Sequence, residues 1–177
     1  VRCLHQSGIT VAHSFDIRER ISFYEKLCGS HVTLLFEDYE EVKRGMDWLM
    51  DTLDSMERPK CLCHIDANVD NFLFFEDGSV KLLDWEYAGM CDPVMDVSMC
   101  AIYSYYNEED MERLFRLYLQ REPSEDELFA LYANAALGGF LWCLWAVYKS
   151  ILGDEFGEYT IIMYRYAKKY YRKLRKL

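Results

Sequence analysis

The chain has 177 residues, of which 51% are hydrophobic, 16% aromatic and 28% charged. That length fits one compact domain able to bury about two thirds of the surface that its unfolded form exposes. The formal net charge of −10 disfavours binding to nucleic acid and favours cationic ligands. Seven cysteines at irregular spacing indicate reduced thiols rather than disulfides, so we expect a cytoplasmic protein.

The apolar stretches and the start of the chain predict no membrane partner. A spanning helix needs roughly 18 consecutive apolar residues, whereas the aromatic-rich run 140–151 is shorter and contains Lys149. The chain begins Val1-Arg2-Cys3, with neither an initiator Met nor a signal-peptide pattern. We therefore expect a chain that starts within a domain.

Two helices are predicted first, and a change of hydrophobic period follows them. Apolar residues recur at helical spacing over 15–27 and 38–56. Residues 72–75 and 80–83 are then short apolar runs around a turn in which Gly78 can adopt a positive φ. This pattern predicts a β-hairpin, flanked on both sides by polar residues that it is expected to bring together.

After Pro93 the chain is predicted to be helical. A helix start at 107–110 is followed by a capping box at 124–127, the long segment 128–151 and a last helix over 155–176. The basic side chains near the end complement the helix dipole, which we prefer to an anionic-surface patch. With no internal repeat, the expected fold is α+β and mainly α.

A cluster of sulfur and imidazole ligands lies at 61–64, with the sequence Cys-Leu-Cys-His, and Cys91 and Cys100 follow it. This spacing lacks the paired C-x2-C form of zinc sites. Buried free thiols are therefore the preferred interpretation.

Asp66, Asn71 and Asp84 offer the groups that phosphoryl transfer to a hydroxyl requires. The reaction needs a carboxylate near the acceptor oxygen and oxygen ligands for Mg²⁺. Asp66 and Asn71 are five residues apart, and Asp84 follows the predicted hairpin. Asp and Asn also form turns and caps in loops, but the ordered set around a hairpin favours a site.

Three segments resemble the choline/ethanolamine kinase family, bacterial choline kinase type, within the aminoglycoside phosphotransferase and protein-kinase-like superfamily. Residues 63–74 resemble the H-x-D-x-x-x-x-N catalytic loop, and 82–96 resemble the metal-binding motif D-W-E-Y-A-G-x-x-D-P-x-x-D. Leu4-His5-Gln6-Ser7-Gly8 resembles the L-H-x-x-G that begins the large lobe. The resemblance implies the C-terminal lobe of a protein-kinase-like fold over 1–177.

The resemblance also implies roles for individual residues. Asp66 corresponds to the catalytic base, and Asn71 and Asp84 correspond to Mg²⁺ ligands. Glu86 is a possible contact for a cationic substrate. The residues implied to support the loops structurally are His64, Asp92 and Asp96.

An aromatic segment points to the substrate. Trp142 and Trp145, three residues apart, share a helix face, and aromatic cages bind quaternary ammonium groups. Periodicity alone favours core packing, but the L-W-x-x-W and E-F-G patterns resemble those of choline and ethanolamine kinases. The implied cage residues are Trp142, Trp145 and Phe156, with Tyr148 and Tyr159 as weaker candidates.

The implied function is ATP-dependent phosphorylation of a small amino alcohol, most directly choline to phosphocholine, with Mg²⁺ and ATP. The sequence has no glycine-rich loop, since Gly138-Gly139 lies in a predicted helix, and no strand lysine for the phosphates. We therefore expect the N-terminal ATP-binding lobe to be absent from this chain, which alone is incomplete for activity. The alternatives are a non-catalytic choline-binding or pseudokinase fragment, or a kinase for ethanolamine, an aminoglycoside or thiamine.

Overall fold

The structure, a computed structural model, describes residues 1–176. Its α-helices are α1 (Arg2–His5), α2 (Ile17–Cys28), α3 (His31–Leu35), α4 (Tyr39–Ser55), α5 (Val94–Tyr103), α6 (Glu108–Leu119), α7 (Glu125–Ile151) and α8 (Tyr159–Leu174). Its strands are β1 (Cys61–Cys63), β2 (Phe72–Phe74), β3 (Val80–Leu82) and β4 (Gly89–Cys91). The expected mainly helical α+β fold is confirmed.

The β2–β3 hairpin lies where the change of hydrophobic period predicted it. Phe72 pairs with Leu82 and Phe74 pairs with Val80 in an antiparallel register. Gly78 has a φ of 81° in the turn, which a residue without a Cβ adopts at no steric cost.

The second antiparallel pair, β1 with β4, was not predicted. Cys61 pairs with Cys91 and Cys63 pairs with Gly89. Three-residue strands are too short to show a period of two, and their pairing joins distant parts of the chain. The short helices α1 and α3 escaped prediction for the same reason of length, and α8 begins four residues later than expected, at Tyr159.

Side chains cap the starts of α2, α6 and α7. Asp16 accepts hydrogen bonds from the backbone N–H groups of Arg18 and Glu19 at the start of α2. Asn107 accepts one from the Asp110 N–H at the start of α6, at 3.0 Å. At the start of α7 the Glu127 N–H donates to Ser124 Oγ and the Ser124 N–H donates to Glu127 Oε2. The predicted capping box is therefore present.

The chain divides into two compact units, each assembled from separate stretches of sequence. The first unit comprises Val1–Phe15 and Arg58–Leu131, and the second comprises Asp16–Glu57 and the chain from Tyr132 onward. The fully buried side chains Met99, Ile102, Met111 and Phe115 lie in the first unit, and Met46, Leu49, Leu137, Phe140 and Tyr170 lie in the second. Because neither unit is a contiguous segment, amino-acid composition along the chain does not mark the boundaries of the units.

Helix α7 is longer and more apolar than the run 140–151 suggested. It has the length and hydropathy of a membrane span, with a mean hydropathy of 1.5 over its best window. That window is 83% buried inside the protein, as expected for the core helix of a globular fold. The expectation that no segment reaches the composition of a span is thus wrong, because it considered only the end of this helix.

Candidate active site

A buried carboxylate, Asp96, holds the loop that follows β1. Its Oδ2 accepts the His64 N–H at 2.9 Å and its Oδ1 accepts the Ile65 N–H at 2.7 Å. Asp96 comes from the first turn of α5 and is fully buried. Two hydrogen bonds from consecutive backbone N–H groups fix the position of the next residue, Asp66.

The backbone at Ile65 is strained. Its φ of 71° lies in the left-handed region, where a β-branched residue is an outlier. Such a conformation costs on the order of 1–3 kcal/mol and persists where the surroundings determine it. Here the hydrogen bonds to the Asp96 carboxylate and the burial of the Ile65 side chain impose it.

Asn71 is hydrogen-bonded to Asp66. Its Nδ2 donates to the Asp66 backbone oxygen at 2.8 Å and to the Asp66 Oδ2 at 2.9 Å. Because both bonds use the amide nitrogen, the amide oxygen of Asn71 is the atom that remains as a metal ligand.

The hairpin returns the chain to this loop immediately before Asp84. The Leu83 N–H donates to the Asn71 backbone oxygen at 2.8 Å, and His64 Nε2 lies 2.7 Å from the Leu83 oxygen. Since that oxygen can only accept, Nε2 carries the proton. Asp84 itself is exposed and has a φ of 59°. The structure thus brings Asp66, Asn71 and Asp84 to one place.

Burial raises the pKa of the Asp66 carboxyl above its ordinary value. The hydrogen bond from Asn71 acts in the opposite direction, and the negative charge of Asp84 adds to the rise. A carboxylate with a raised pKa is a stronger base than one in free solution. The site therefore has the electrostatics of a proton acceptor beside a second carboxylate.

Asp96 and Asp92 also make side-chain contacts that sequence reasoning missed. His5 Nε2 lies 2.9 Å from Asp96 Oδ2, and His5 Nδ1 lies 2.9 Å from the Tyr118 hydroxyl. Burial alone would lower the pKa of His5, but the hydrogen bond and charge of Asp96 raise it to about 9. The L-H-x-x-G pattern was the signal for His5.

Asp92 links the end of β4 to α5. It accepts two hydrogen bonds from the Arg58 guanidinium, at 2.7 and 3.3 Å, and one from the Val94 N–H at 2.9 Å. No local pattern marked Arg58 as the partner, because the two residues are distant in sequence.

The residues after Asp84 are exposed. The Trp85 ring contacts the edge of the His64 ring, with centroids 4.8 Å apart, and the Trp85 indole N–H donates to the Leu82 oxygen. Glu86 is exposed in the turn that leads to β4. Its carboxylate is accessible to a cationic ligand, as a substrate contact requires.

The predicted cage residues form an aromatic cluster within the second unit. Ring centroids are 6.1 Å apart for Trp142 and Trp145, 4.8 Å for Trp145 and Phe156, and 6.3 Å for Phe156 and Tyr159. Trp142 is only 4% exposed, so most of its ring belongs to the core. Trp145 and Phe156 are half-buried and offer accessible ring surface.

Two further contacts define the surroundings of this cluster. The Lys149 ammonium lies 5.8 Å from the centroid of the Trp145 ring, so a cation already occupies one face of that ring. Tyr148 contacts Tyr24, with centroids 6.1 Å apart. Asp66, Asn71 and Asp84 belong to the first unit, and the aromatic cluster belongs to the second.

Residues 4–132 match the phosphotransferase enzyme family, APH. The match covers more than half of the chain, and the chain therefore belongs to this family. The family resemblance predicted from the catalytic loop and the metal-binding motif is confirmed.

Two similar solved structures and one similar protein carry the name LicA. The crystal structure of choline kinase LicA from Streptococcus pneumoniae superimposes with a TM-score of 0.82 at 28% identity, covering 97% of this chain and 60% of that one. A crystal structure of LicA in complex with AMP gives 0.83 at 28% identity, with 97% and 59% covered. Protein LicA of Haemophilus influenzae is 25% identical over 167 residues, which cover 89% of this chain and 48% of that protein. The chain thus spans about half the length of the relatives that it matches.

Proposed function

We propose that this chain is the C-terminal catalytic lobe of an ATP-dependent kinase that phosphorylates the hydroxyl group of an amino alcohol, with choline as the preferred acceptor. The observation that carries the proposal is the Asp66–Asn71 hydrogen bond at 2.9 Å, with Asp84 brought alongside by the hairpin. The similarity to choline kinase LicA supports the acceptor class.

Asp66 is assigned as the general base. It accepts the proton of the acceptor hydroxyl while the oxygen forms its bond to the γ-phosphorus and the bond to ADP breaks. The raised pKa of Asp66 suits this role. His64 and Asp96 act by positioning, since they hold the backbone on either side of the loop.

Asn71 and Asp84 fit a magnesium site by their chemistry. A carboxylate and an amide oxygen are ligands that Mg²⁺ prefers, together with phosphate oxygens. When bound, Mg²⁺ offsets negative charge on the transferring phosphoryl group.

The exposed apolar surface of the β2–β3 hairpin is an argument for a second lobe that contacts it. Phe74 is 73% exposed and Val80 is 50% exposed, although both residues belong to strands. A contiguous apolar surface of this kind marks a contact site. We propose that the N-terminal ATP-binding lobe, which lies outside this chain, covers the hairpin in the whole protein.

The aromatic cluster supports a quaternary amine as the acceptor. Ring faces attract a cation by about 0.5–2 kcal/mol, and the weakly hydrated trimethylammonium of choline loses little hydration on contact. The Trp145 ring and the net charge of −10 favour such a ligand over a neutral one. Ethanolamine, with a strongly hydrated ammonium, is expected to bind more weakly.

Calorimetric titration of choline and ethanolamine into the chain tests this acceptor site. Choline is expected to bind more tightly, and Trp145→Leu is expected to weaken its binding by about 10-fold. Trp48→Leu is the matched control, since Trp48 is also half-buried and lies in α4 of the same unit. Equal losses in both variants, or no binding by the folded chain, would contradict the assignment of the aromatic cluster.

A further inference from the structure

His5, Cys61 and Cys63 bring three potential metal ligands together in the first unit. One ring nitrogen of His5 and the two thiol sulfurs lie within 4.8 Å of one another. Cys61 and Cys63 are two residues apart on β1, so their side chains lie on the same face of the strand. His5 reaches that face from the end of α1.

We propose that His5, Cys61 and Cys63 form part of a zinc-binding site, distinct from the magnesium site assigned to Asn71 and Asp84. Zinc binds thiolate sulfur at about 2.3 Å with tetrahedral angles, which places two sulfurs about 3.8 Å apart. The sulfur atoms of Cys61 and Cys63 are 3.8 Å apart. Two sulfurs and an imidazole select zinc over the hard cations that oxygen ligands hold.

Cys91 is the fourth ligand in this proposal. It is the direct cross-strand partner of Cys61 in the β1–β4 pair, and directly paired residues project from the same face of a sheet. The Cys63 sulfur lies 3.6 Å from the Cys91 backbone oxygen. The Cys91 thiol donates to the Asp92 backbone oxygen at 3.5 Å and turns toward the other ligands when the metal binds. A Cys₃His set is one of the ligand combinations of structural zinc sites.

The surroundings of His5 match those of a metal-binding histidine. Such histidines donate their second ring N–H to a carboxylate, which fixes the ring. His5 Nε2 lies 2.9 Å from the Asp96 carboxylate, and the two side chains are 3% and 0% exposed. The other nitrogen, Nδ1, contacts the Tyr118 hydroxyl. In the proposed site the metal ion binds Nδ1 in place of the Tyr118 hydroxyl, while the hydrogen bond from Nε2 to Asp96 keeps the ring in place.

The proposed ligand set differs from the zinc ligands that the linear sequence offered, where free thiols were the preferred interpretation. His64, adjacent to Cys63, uses its Nε2 on the Leu83 oxygen, and the Cys100 thiol donates to the Ala67 oxygen. The imidazole comes instead from His5, which lies near the beginning of the first unit. Linear spacing shows no C-x2-C pattern because the third thiol and the imidazole are supplied by strand pairing and by α1.

Zinc binding is tested by titrating Zn²⁺ into the reduced chain in competition with a chromophoric chelator, and by recording absorption spectra with Co²⁺. We expect one equivalent of tightly bound zinc. The cobalt form is expected to show thiolate-to-cobalt charge transfer and the intense visible bands of a tetrahedral centre. Proton release on binding accompanies deprotonation of the thiols. Cobalt bound with no charge-transfer band, or no binding against the chelator, would overturn the proposal.

Variants identify the ligands. Cys61→Ser and Cys63→Ser are expected to weaken zinc binding by about 100-fold, the upper range seen when even outer hydrogen-bond partners of a metal site are removed. Cys3→Ser is the matched control, because Cys3 is exposed on the same helix as His5. Cys61 is only half-buried, so Cys61→Ser is expected to disturb folding least. Circular dichroism checks that each variant is folded. Retained binding by Cys61→Ser would overturn the site, and retained binding by Cys91→Ser would remove Cys91 from it.

Discussion

At the scale of single residues, Asp96 holds the loop that carries Asp66. Its carboxylate accepts hydrogen bonds from two consecutive backbone N–H groups and contacts the His5 ring. A buried charge is expensive unless every lone pair has a donor. Here the donors are backbone N–H groups of the loop that carries Asp66, so the contacts that satisfy the charge also fix the position of Asp66.

Replacing Asp66, the proposed general base, tests the chemistry directly. In the full-length protein that carries this chain, Asp66→Asn is expected to lower kcat for phosphorylation of choline by about 10²–10⁴-fold, because the amide cannot accept the hydroxyl proton. The rate of phosphocholine formation from ATP measures it. Asp70→Asn is the matched control, an exposed acid on the same loop, and is expected to keep kcat.

An Asp66→Asn protein as active as Asp70→Asn would contradict the assignment of the base. A parent protein that binds choline but forms no phosphocholine would indicate a non-catalytic binding module.

The proximity of Asp66, Asn71 and Asp84 was predictable because these residues are close in sequence. Asp66 and Asn71 lie on one loop, and a hairpin of known turn chemistry returns Asp84 to it. The partners His5 and Arg58 were not assigned, since their contacts with Asp96 and Asp92 join residues that only the fold brings together. The positive φ of Ile65 was equally invisible, because it results from the Asp96 hydrogen bonds rather than from local preference.

At the scale of elements, close approach of α7 and α8 explains a glycine in the middle of a long helix. A Cβ built on Gly139 would lie 2.6 Å from the Met163 backbone oxygen. Glycine lowers helix propensity by about 1 kcal/mol relative to alanine, so its presence in α7 reflects packing. Gly139 is thus part of a helix contact, and the Gly138-Gly139 pair lies within α7 and not in a phosphate-binding loop.

Gly139→Ala is expected to destabilise the chain by about 1–3 kcal/mol, the cost of overpacking a tight contact, despite the gain in helix propensity. Urea denaturation measures the loss. Gly45→Ala provides the comparison, because its Cβ would meet the side chain of Tyr171, which can move. A loss at Gly139 no larger than that at Gly45 would show that the backbones of the two helices separate easily.

The start of α7 gives a pH-dependent prediction. The hydrogen bond from the Arg121 guanidinium is the main reason that the pKa of Glu127 is lowered from 4.5 to about 2. The hydrogen bond from the Ser124 N–H lowers that pKa further. A carboxyl with a lowered folded-state pKa contributes stability above its ordinary pKa and loses it as the pH falls through the folded value. We expect Glu127→Gln to cost up to about 1 kcal/mol at pH 7, because the neutral amide still accepts from the Ser124 N–H but loses the ion pair with Arg121.

The difference between Glu127→Gln and the parent protein is expected to shrink as the pH falls from about 4.5 to about 2, measured by denaturation at each pH. Glu125→Gln, at an exposed position in the same helical turn, is expected to show little change. A difference that is constant with pH would mean that the Glu127 charge plays no part in the cap.

At the scale of the whole molecule, opposite charges segregate along the sequence, yet many cations near the end of the chain have partners. Lys168 pairs with Asp38, Lys173 lies 4.5 Å from the centroid of the Tyr132 ring, and Arg175 lies 5.4 Å from that of Trp48. These contacts all lie within the second unit. The basic helix end therefore packs on aromatic faces of its own unit, in addition to complementing the helix dipole.

The two-unit division could not be read from the sequence, because each unit combines stretches from both halves of the chain. Helix positions follow from local periodicity and caps, which the chain displays clearly. The pairing of β1 with β4 and the grouping of α4 with α8 depend on contacts between distant residues, which no local pattern records.

The exposed hairpin allows the proposed second lobe to be tested apart from the folding of this chain. Phe74, at 73% exposure, has little to lose from substitution in the isolated chain, so Phe74→Ser is expected to change its free energy of unfolding by less than about 0.5 kcal/mol. In the full-length protein the same change is expected to raise the KM for ATP several-fold, because it removes apolar contact area next to the nucleotide lobe. Leu34→Ser, at an 80% exposed position of α3, is the control for loss of an exposed apolar side chain. If both variants leave the KM for ATP unchanged, the hairpin is not covered by the nucleotide lobe, and its apolar surface serves a different contact.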